Sequence, residues 1–180
     1  MIVELDTIIG ENIRLRPITK KDTSLIVKWR NNPAVRKNFI FQEKFTEKMH
    51  NQWLDSKVAK GEVIQYIIEE IEGEKPIGSV YLRDIDDNNL SAEYGIFIGE
   101  DQARGKGYGT ETAILFIQYA LEKVGFHRIF LRVLKENDAA YRSYLKAGFE
   151  KEGVFRDMVK VDGKYRDVIF MAIINEKDVE

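Results

Sequence analysis

The stretch Ala103 to Ala113 reads ARGKGYGTETA, with glycines at 105, 107 and 109, cations at Arg104 and Lys106, and Tyr108 between them. Glycine gives up a packing side chain and adds unfolded-state entropy. Such a run therefore points to backbone at φ > 0, or to backbone that something large approaches closely. The first turn of a helix has unpaired N–H groups at the positive end of the macrodipole. A glycine-rich turn entering a helix is thus a generic anion site, for phosphate above all. The Walker spacing fails: counting back five from Gly105 gives Glu100, and Gly107 stands where a hydroxyl should follow Lys106. The dinucleotide spacing fails too, because the sixth position is Thr110 from Gly105 and Thr112 from Gly107. What remains is Arg-x-x-Gly-x-Gly, with Arg104, Gly107 and Gly109; the plainer alternative is a helix entry whose glycines serve a tight turn.

The elements that must carry this loop are legible on either side. Before it, SAEYGIFI (Ser91–Ile98) is a strand. After it, Ile114, Ile117, Leu121 and Val124 fall at helical spacing, and Gly125 closes the helix. Strand, loop, helix and the strand in HRIFLRVLKEN then predict one parallel crossover from Ser91 to Val133. Upstream, Ile2–Leu5 and Asn12–Pro17 read as short strands. Thr19 opens a helix with Asp22 in its first turn, and Asn31, Asn32 and Pro33 end it. A second helix begins after Thr46 and runs to about Ala59. Val63–Glu72, KPIGSVYLRDI and Ser91–Ile98 form an antiparallel meander. Downstream, Asn137–Lys146 is a helix stopped by Gly148, and two strands meet at Asp162–Gly163. The class is α+β: a mixed, mostly antiparallel sheet with helices on both faces.

The 180 residues suit one domain, 1–180. A hydrophobic share of 44%, a charged share of 32% and a net charge of −2 leave no basic block for nucleic acid. No cysteine is present, so no disulfide, thiolate metal site or cysteine nucleophile is available. His50 and His127 are not at ligand spacing, so no metal is expected. No apolar run is long enough to span a membrane, and MIVELDTIIG lacks a cationic start, which reads as a cytoplasmic protein.

Three segments together resemble the GNAT superfamily of acetyl-coenzyme-A-dependent N-acetyltransferases, over about Ile13 to Ile174. They are the loop Arg104–Thr110, the strand AEYGIFI before it, and NDAAYRSYLKAGFEKEG. The ending EGVFRD…DGKYRDVIFMAI resembles the branch of ribosomal-protein N-terminal and spermidine acetyltransferases. WRNNPAVR is similar to amino-sugar-nucleotide acetyltransferases. The resemblance implies a GNAT fold, whose parallel strand pair splays to admit the pantetheine arm. It implies that the pyrophosphate sits on the amides of Arg104, Gly105, Lys106, Gly107, Tyr108 and Gly109. Lys106 would be a solvated charge nearby, and Thr110 a phosphate ligand or a cap. Ile96, Phe97 and Ile98 would offer backbone groups to pantetheine, with the Ile96 and Ile98 side chains in the core.

Acetyl transfer needs a neutral amine, although alkyl ammonium groups titrate near 10. A proton must therefore leave, directly or through water. Glu93 resembles the acidic residue that many family members use as base; an exposed carboxylate or salt-bridge partner is the alternative, and Tyr94, Glu69 or Glu70 are weaker rivals. Asn137 and Tyr144, seven apart, share a helix face. By resemblance Asn137 binds pantetheine and Tyr144 protonates the leaving thiolate; the alternative is a core tyrosine. The acceptor pocket is expected between the first helices, with Trp29, Arg30, Asn31, Arg36, Phe39 and Trp53, then Tyr81 and Arg83, and the final hairpin, with Phe155, Tyr165 and Arg166. The reading is direct transfer from acetyl-coenzyme A to a primary amine, small molecule or peptide. A homodimer is admitted; no nucleic acid, membrane or metal is called for. A silent acyl-coenzyme-A binding module is the competing class.

Overall fold

The computed structural model describes residues 5–176. Eight strands form one sheet in the order β1-β2-β3-β4-β5-β6-β8-β7. β1 (Ile8–Ile9) and β2 (Ile13–Pro17) stand at one edge; β7 (Glu150–Val161) and β8 (Lys164–Ile174) stand at the other. β3 (Ile64–Glu70), β4 (Lys75–Asp86) and β5 (Ser91–Ile98) are the expected meander. β6 (Arg128–Leu134) pairs parallel with β5, and that is the sheet's one parallel pair among the described residues. The strand expected over 2–5 falls mostly outside the described residues.

Both faces of the sheet are covered, which explains why β3 lacks the alternation of a half-exposed strand: Ile64 to Glu69 are all buried. α4 (Tyr108–Tyr119) and α5 (Asp138–Lys146) lie against Tyr66, Ile68, Tyr94 and Leu131. On the other face, α1 (Thr23–Asn31), α2 (Pro33–Arg36) and α3 (Glu47–Trp53) cover Ile67 and Phe97, with Trp29 fully buried between them. Successive residues of β5 thus serve opposite cores, as a pleated strand requires.

Two expectations about helices need correction. The run Asn31–Pro33 is more than the end of a helix. Asn32 starts a new one, accepting the Ala34 N–H at 3.0 Å with Pro33 at the first helical position. That position needs no donor, so proline fits there. Ile114, expected on the core stripe of α4, is 47% exposed. The buried residues are Thr112, Ala113, Phe116 and Ile117 of α4, continued by Ala120 and Val124 in the helical turn Ala120–Val124 that follows it; Ile117 and Val124 keep their expected places, while small Ala113 and Ala120 stand in place of the expected Ile114 and Leu121. The final hairpin turn obeys its chemistry: Asp162 and Gly163 both have positive φ, 48° and 77°, as a two-residue turn demands.

Candidate active site

β5 and β6 are neighbours for three residues only: Ser91, Ala92 and Glu93 face Arg128, Ile129 and Phe130. Beyond them β5 stays with β4, and β6 turns to β8 along its whole length. From Tyr94 to Ile98 the β6-facing edge of β5 has no strand neighbour. A cavity of about 430 Å³ fills that gap and reaches from the glycine loop to α1 and α2.

The glycine loop closes one end. Gly105 and Gly107 sit at φ 77° and 89°, where side chains are strained, and a Cβ on either would meet nothing within 4 Å. Gly107 is the residue before α4, and the amides of Tyr108 and Gly109 lie in its first turn without intrahelical acceptors. Gly109 has no positive φ. Of the two reasons for glycine, positive φ and close approach, only the second is left for it: its nearest Cβ neighbour would be Ile98 Cγ1 at 3.9 Å, so what glycine preserves there is open space. Open amides at a helix start, beside a gap between strands, fit a phosphate-bearing ligand with a long arm.

The cations of the loop are less free than their spacing implied. Arg104 turns back, donating to the Ile98 carbonyl at 3.2 Å and pairing with Asp101 at 2.6 Å. Lys106 pairs with Glu70 at 3.3 Å, and the Tyr108 hydroxyl donates to the same carboxylate. Thr110 lies inside α4 rather than capping it, its hydroxyl 2.9 Å from that of Ser143 on α5. Ile96 and Ile98 pack their side chains on the α4 core, and Phe97 packs on the other, against Trp29 and Phe39.

Asn137 caps α5, its Oδ1 accepting the Ala140 N–H at 3.3 Å, and it lines the cavity. Two turns on, Tyr144 lines it as well. The Tyr144 ring packs edge-on to Tyr94 and Phe149 at 6.0 and 5.9 Å, and its hydroxyl has no hydrogen bond to a described residue. Burial pushes the phenol well above its ordinary value, so it stays protonated. The ring packs in the core, as the plainer reading of this tyrosine expects, and the residue also borders the cavity.

Glu93 also lines the cavity, but as the centre of an ion cluster. It accepts from Arg83 Nε at 3.0 Å and from Arg132 Nε and Nη2 at 2.7 and 3.0 Å. Burial pushes its carboxyl up, but the Arg132 hydrogen bond and the Arg83 charge outweigh it and hold it below the usual range. A saturated, weakly basic carboxylate matches the salt-bridge reading of Glu93. Its rivals are engaged too: Glu69 by Arg14 and Arg16 at 2.7 Å each, Glu70 by Tyr108 and Lys106. The Tyr94 hydroxyl is buried without a partner among the described residues, and burial raises its pKa.

Of the expected acceptor residues, Arg30, Phe39, Tyr81 and Arg83 line the cavity. Trp29 is buried, its indole N–H donating to Glu100 at 2.7 Å, and Asn31 holds the backbone of Phe45. Trp53 donates to Gln65 at 2.9 Å. These three, with Arg36, Phe155, Tyr165 and Arg166, lie outside the lining. Arg132 was missed, although a cation at the centre of the apolar run IFLRVL is a legible signal. Phe41 and Ile40, after α2, were missed with no signal but their apolar character. Among the described residues, no cluster of three or more His, Cys, Asp or Glu is placed to hold a metal, and no helix is long and apolar enough to cross a membrane.

Comparison with known proteins gives this geometry its setting. The family description "Acetyltransferase (GNAT) domain" matches residues 12–150. The chain is 29% identical to the spermidine N(1)-acetyltransferase of Escherichia coli K12 over 168 residues, 93% of this chain and 89% of that one. It is 32% identical to a probable N-acetyltransferase of Bacillus subtilis, YjcK, over 68% of this chain and 67% of that one. Its fold is similar to that of the Vibrio cholerae spermidine N-acetyltransferase solved with CoA and spermine, with a TM-score of 0.86 at 24% identity, covering 92% of this chain and 97% of that one. With a match over most of its length, on a sheet split beside a glycine-rich helix entry, the chain belongs to the GNAT acetyltransferases and transfers acetyl from acetyl-coenzyme A to an amine.

Proposed function

We propose that the chain works as one acetyltransferase domain in which the split between β5 and β6 seats the donor and Tyr144 acts as general acid. The observation that carries this reading is the cavity itself, continuous from the open amides of the glycine loop to the unbonded Tyr144 hydroxyl. Acetyl-coenzyme A supplies an activated acetyl thioester. The amides of Gly105 to Gly109 would hold its pyrophosphate, with Lys106 as a nearby charge and Arg104 fastening the loop to β5. The edge of β5 from Tyr94 to Ile98, its Ile98 carbonyl already bonded by Arg104, would pair with the pantetheine arm as an added strand does. Asn137 can hydrogen-bond the same arm through its amide nitrogen.

The acceptor nitrogen bonds to the acetyl carbon as the carbon–sulfur bond breaks, and the Tyr144 proton goes to sulfur. A neutral phenol sits beside a buried sulfur at little desolvation cost, and the second proton that the acceptor nitrogen loses on becoming an amide restores the Tyr144 hydroxyl. The ammonium proton of the acceptor leaves through water, since each nearby carboxylate is already engaged. Glu93 is assigned a positioning role, holding Arg83 and Arg132 in the cavity wall.

Thiol release in Tyr144→Phe tests the assignment. General-acid loss lowers kcat about 10²- to 10⁴-fold, and KM for acetyl-coenzyme A stays near the parent value because the contact strengthens only as charge develops on sulfur. Tyr141→Phe, one turn away, is the control. Near-normal turnover in both variants, with chemistry rate-limiting, removes Tyr144 from the mechanism. Acetyl-coenzyme-A binding without turnover on any amine would instead support the silent module.

A further inference from the structure

The acceptor end of the cavity carries positive charge that no described residue neutralises. Its charged lining is Arg30, Arg83, Arg104, Arg132 and Glu93. Arg104 is paired with Asp101 at the loop end. Arg83 and Arg132 share the single carboxylate of Glu93; Asp84, 3.6 Å from Arg83, is 69% exposed and faces solvent. Arg30 has no carboxylate partner among the described residues. Its Cζ lies over the rings of Phe39 and Phe45, at 4.3 and 4.7 Å, and its Nε is buried without a partner among the described residues. Arginine cannot shed its charge at working pH, and burying such a charge unpaired is costly.

This placement separates Arg30 from the donor. Phe39 and Phe45 belong to the α1–α3 core, whereas the glycine loop and Tyr108 lie on the α4 side of the sheet. With its Cζ over two aromatic rings, the guanidinium is left with the edge that carries its N–H groups, none of them bonded to a described residue. That edge matches a carboxylate or phosphate in two parallel hydrogen bonds. A polyamine would bring further positive charge to this wall, where like charges discriminate against a partner.

We propose that the acceptor is an amine carrying an oxyanion group, carboxylate or phosphate, and that Arg30 is the residue that binds it. This rests on the acetyl-transfer reading above and names the substrate class of the same site.

Matched acceptors test it: glucosamine 6-phosphate against glucosamine, and a peptide with Asp at the second position against its Asn counterpart, with spermidine as a third arm. Products are read by mass spectrometry and rates by thiol release. In the parent protein, kcat/KM should favour the charged member of at least one pair by about 10- to 100-fold, the size of one charge-assisted pair. Which pair responds tells phosphate from carboxylate. Arg30→Met should erase that preference, slowing the charged member about 10- to 100-fold more than the uncharged one, while KM for acetyl-coenzyme A stays near the parent value and the melting temperature does not fall. Arg30→Lys should keep part of the preference. A parent protein that prefers spermidine to both charged acceptors overturns the inference while leaving acetyl transfer intact. So does an Arg30→Met that slows both members of a pair equally. Absence of turnover on every amine, with no binding of coenzyme A, overturns the acetyl-transfer reading and this inference with it.

Discussion

Replacing Glu93 by glutamine separates a structural carboxylate from a catalytic one. Glu93 is 3% exposed and takes hydrogen bonds from two guanidinium groups at 2.7 to 3.0 Å. Glutamine accepts through one oxygen only and turns an NH₂ toward one of the arginines. Removing one partner of a buried ion pair costs about 3–5 kcal/mol. The Arg83 and Arg132 side chains are 26% and 23% exposed, so they can swing partly into water, and the lower figure, about 3 kcal/mol, applies. A chain of this length has an unfolding entropy of about 0.4 kcal/mol/K, so the melting temperature should fall by about 8 °C. Because the folded carboxyl titrates below its unfolded value, its stabilisation is fully present above about pH 4.3 and fades as pH falls through the lower folded pKa. The gap between parent and Glu93→Gln should therefore be flat from pH 5 to 8 and narrow below about pH 4. Thermal melts and pH profiles of kcat/KM on the same preparations are the assay. The acidic limb of the rate profile should keep its position, since Glu93 holds no proton to lose there. A variant that melts within about 2 °C of the parent while its acidic limb vanishes would refute this reasoning and make Glu93 the base.

Gly109→Ala should raise stability and weaken the donor site together. The position is helical and its Cβ meets only Ile98 Cγ1 at 3.9 Å, so alanine should add about 1 kcal/mol, some 2–4 °C. Calorimetry with coenzyme A should show at least tenfold weaker binding; unchanged affinity would take the phosphates away from this loop. His50 is 1% exposed, its Nδ1 2.9 Å from the Thr23 hydroxyl, and burial holds its pKa at about 4 against an ordinary 6.5. The unfolded chain binds that proton more readily, so stability should be full above pH 6.5 and decline by roughly 3 kcal/mol as pH falls to 4. Urea midpoints at pH 7.5 and 4.5 should move less in His50→Gln than in the parent; equal movement would mean that His50 titrates normally inside the fold.

The sequence carried the site best where backbone geometry dictates residue type. Glycine at 105 and 107 is demanded by φ, Asn137 by a helix start, and Asp162–Gly163 by a two-residue turn, so each is legible from type and spacing. Side-chain partnership is not. Whether Glu93 is free or clasped depends on Arg83, one strand away, and on Arg132, across the parallel pair; no spacing rule links those three positions. The stripe of α4 is easily misplaced because large apolar residues outweigh alanine in a hydrophobic pattern, whereas the tight helix–sheet contact selects Ala113 and Ala120. WRNNP reads only as a stop, because proline breaks the helix before it; the same ring, at the first position of α2, favours a new helix.

The meeting of donor and acceptor across a covered sheet has its own physical requirement. The proposed donor elements lie on the α4 face, and Arg30, unpaired among the described residues, on the α1 face, so in the proposed reaction the groups would meet within the plane of the sheet, where β5 has lost its neighbour. A side chain at position 95 would displace Tyr81 from the cavity wall. Gly95 is the cross-strand partner of Tyr81, whose ring lies where a Cβ at 95 would be, 2.4 Å from its Cζ. The ring covers the glycine, as aromatics do beside bare backbone in sheets, and borders the cavity with Arg30 and Arg83. Glycine at 95 thus does for the acceptor side what the glycines of the loop do for the donor side: it lets a large group come against backbone. Both sides of the site are therefore shaped by absent side chains, while of the arginines around them Arg104 pairs with Asp101, Arg83 and Arg132 share Glu93, and Arg30 has no carboxylate partner among the described residues.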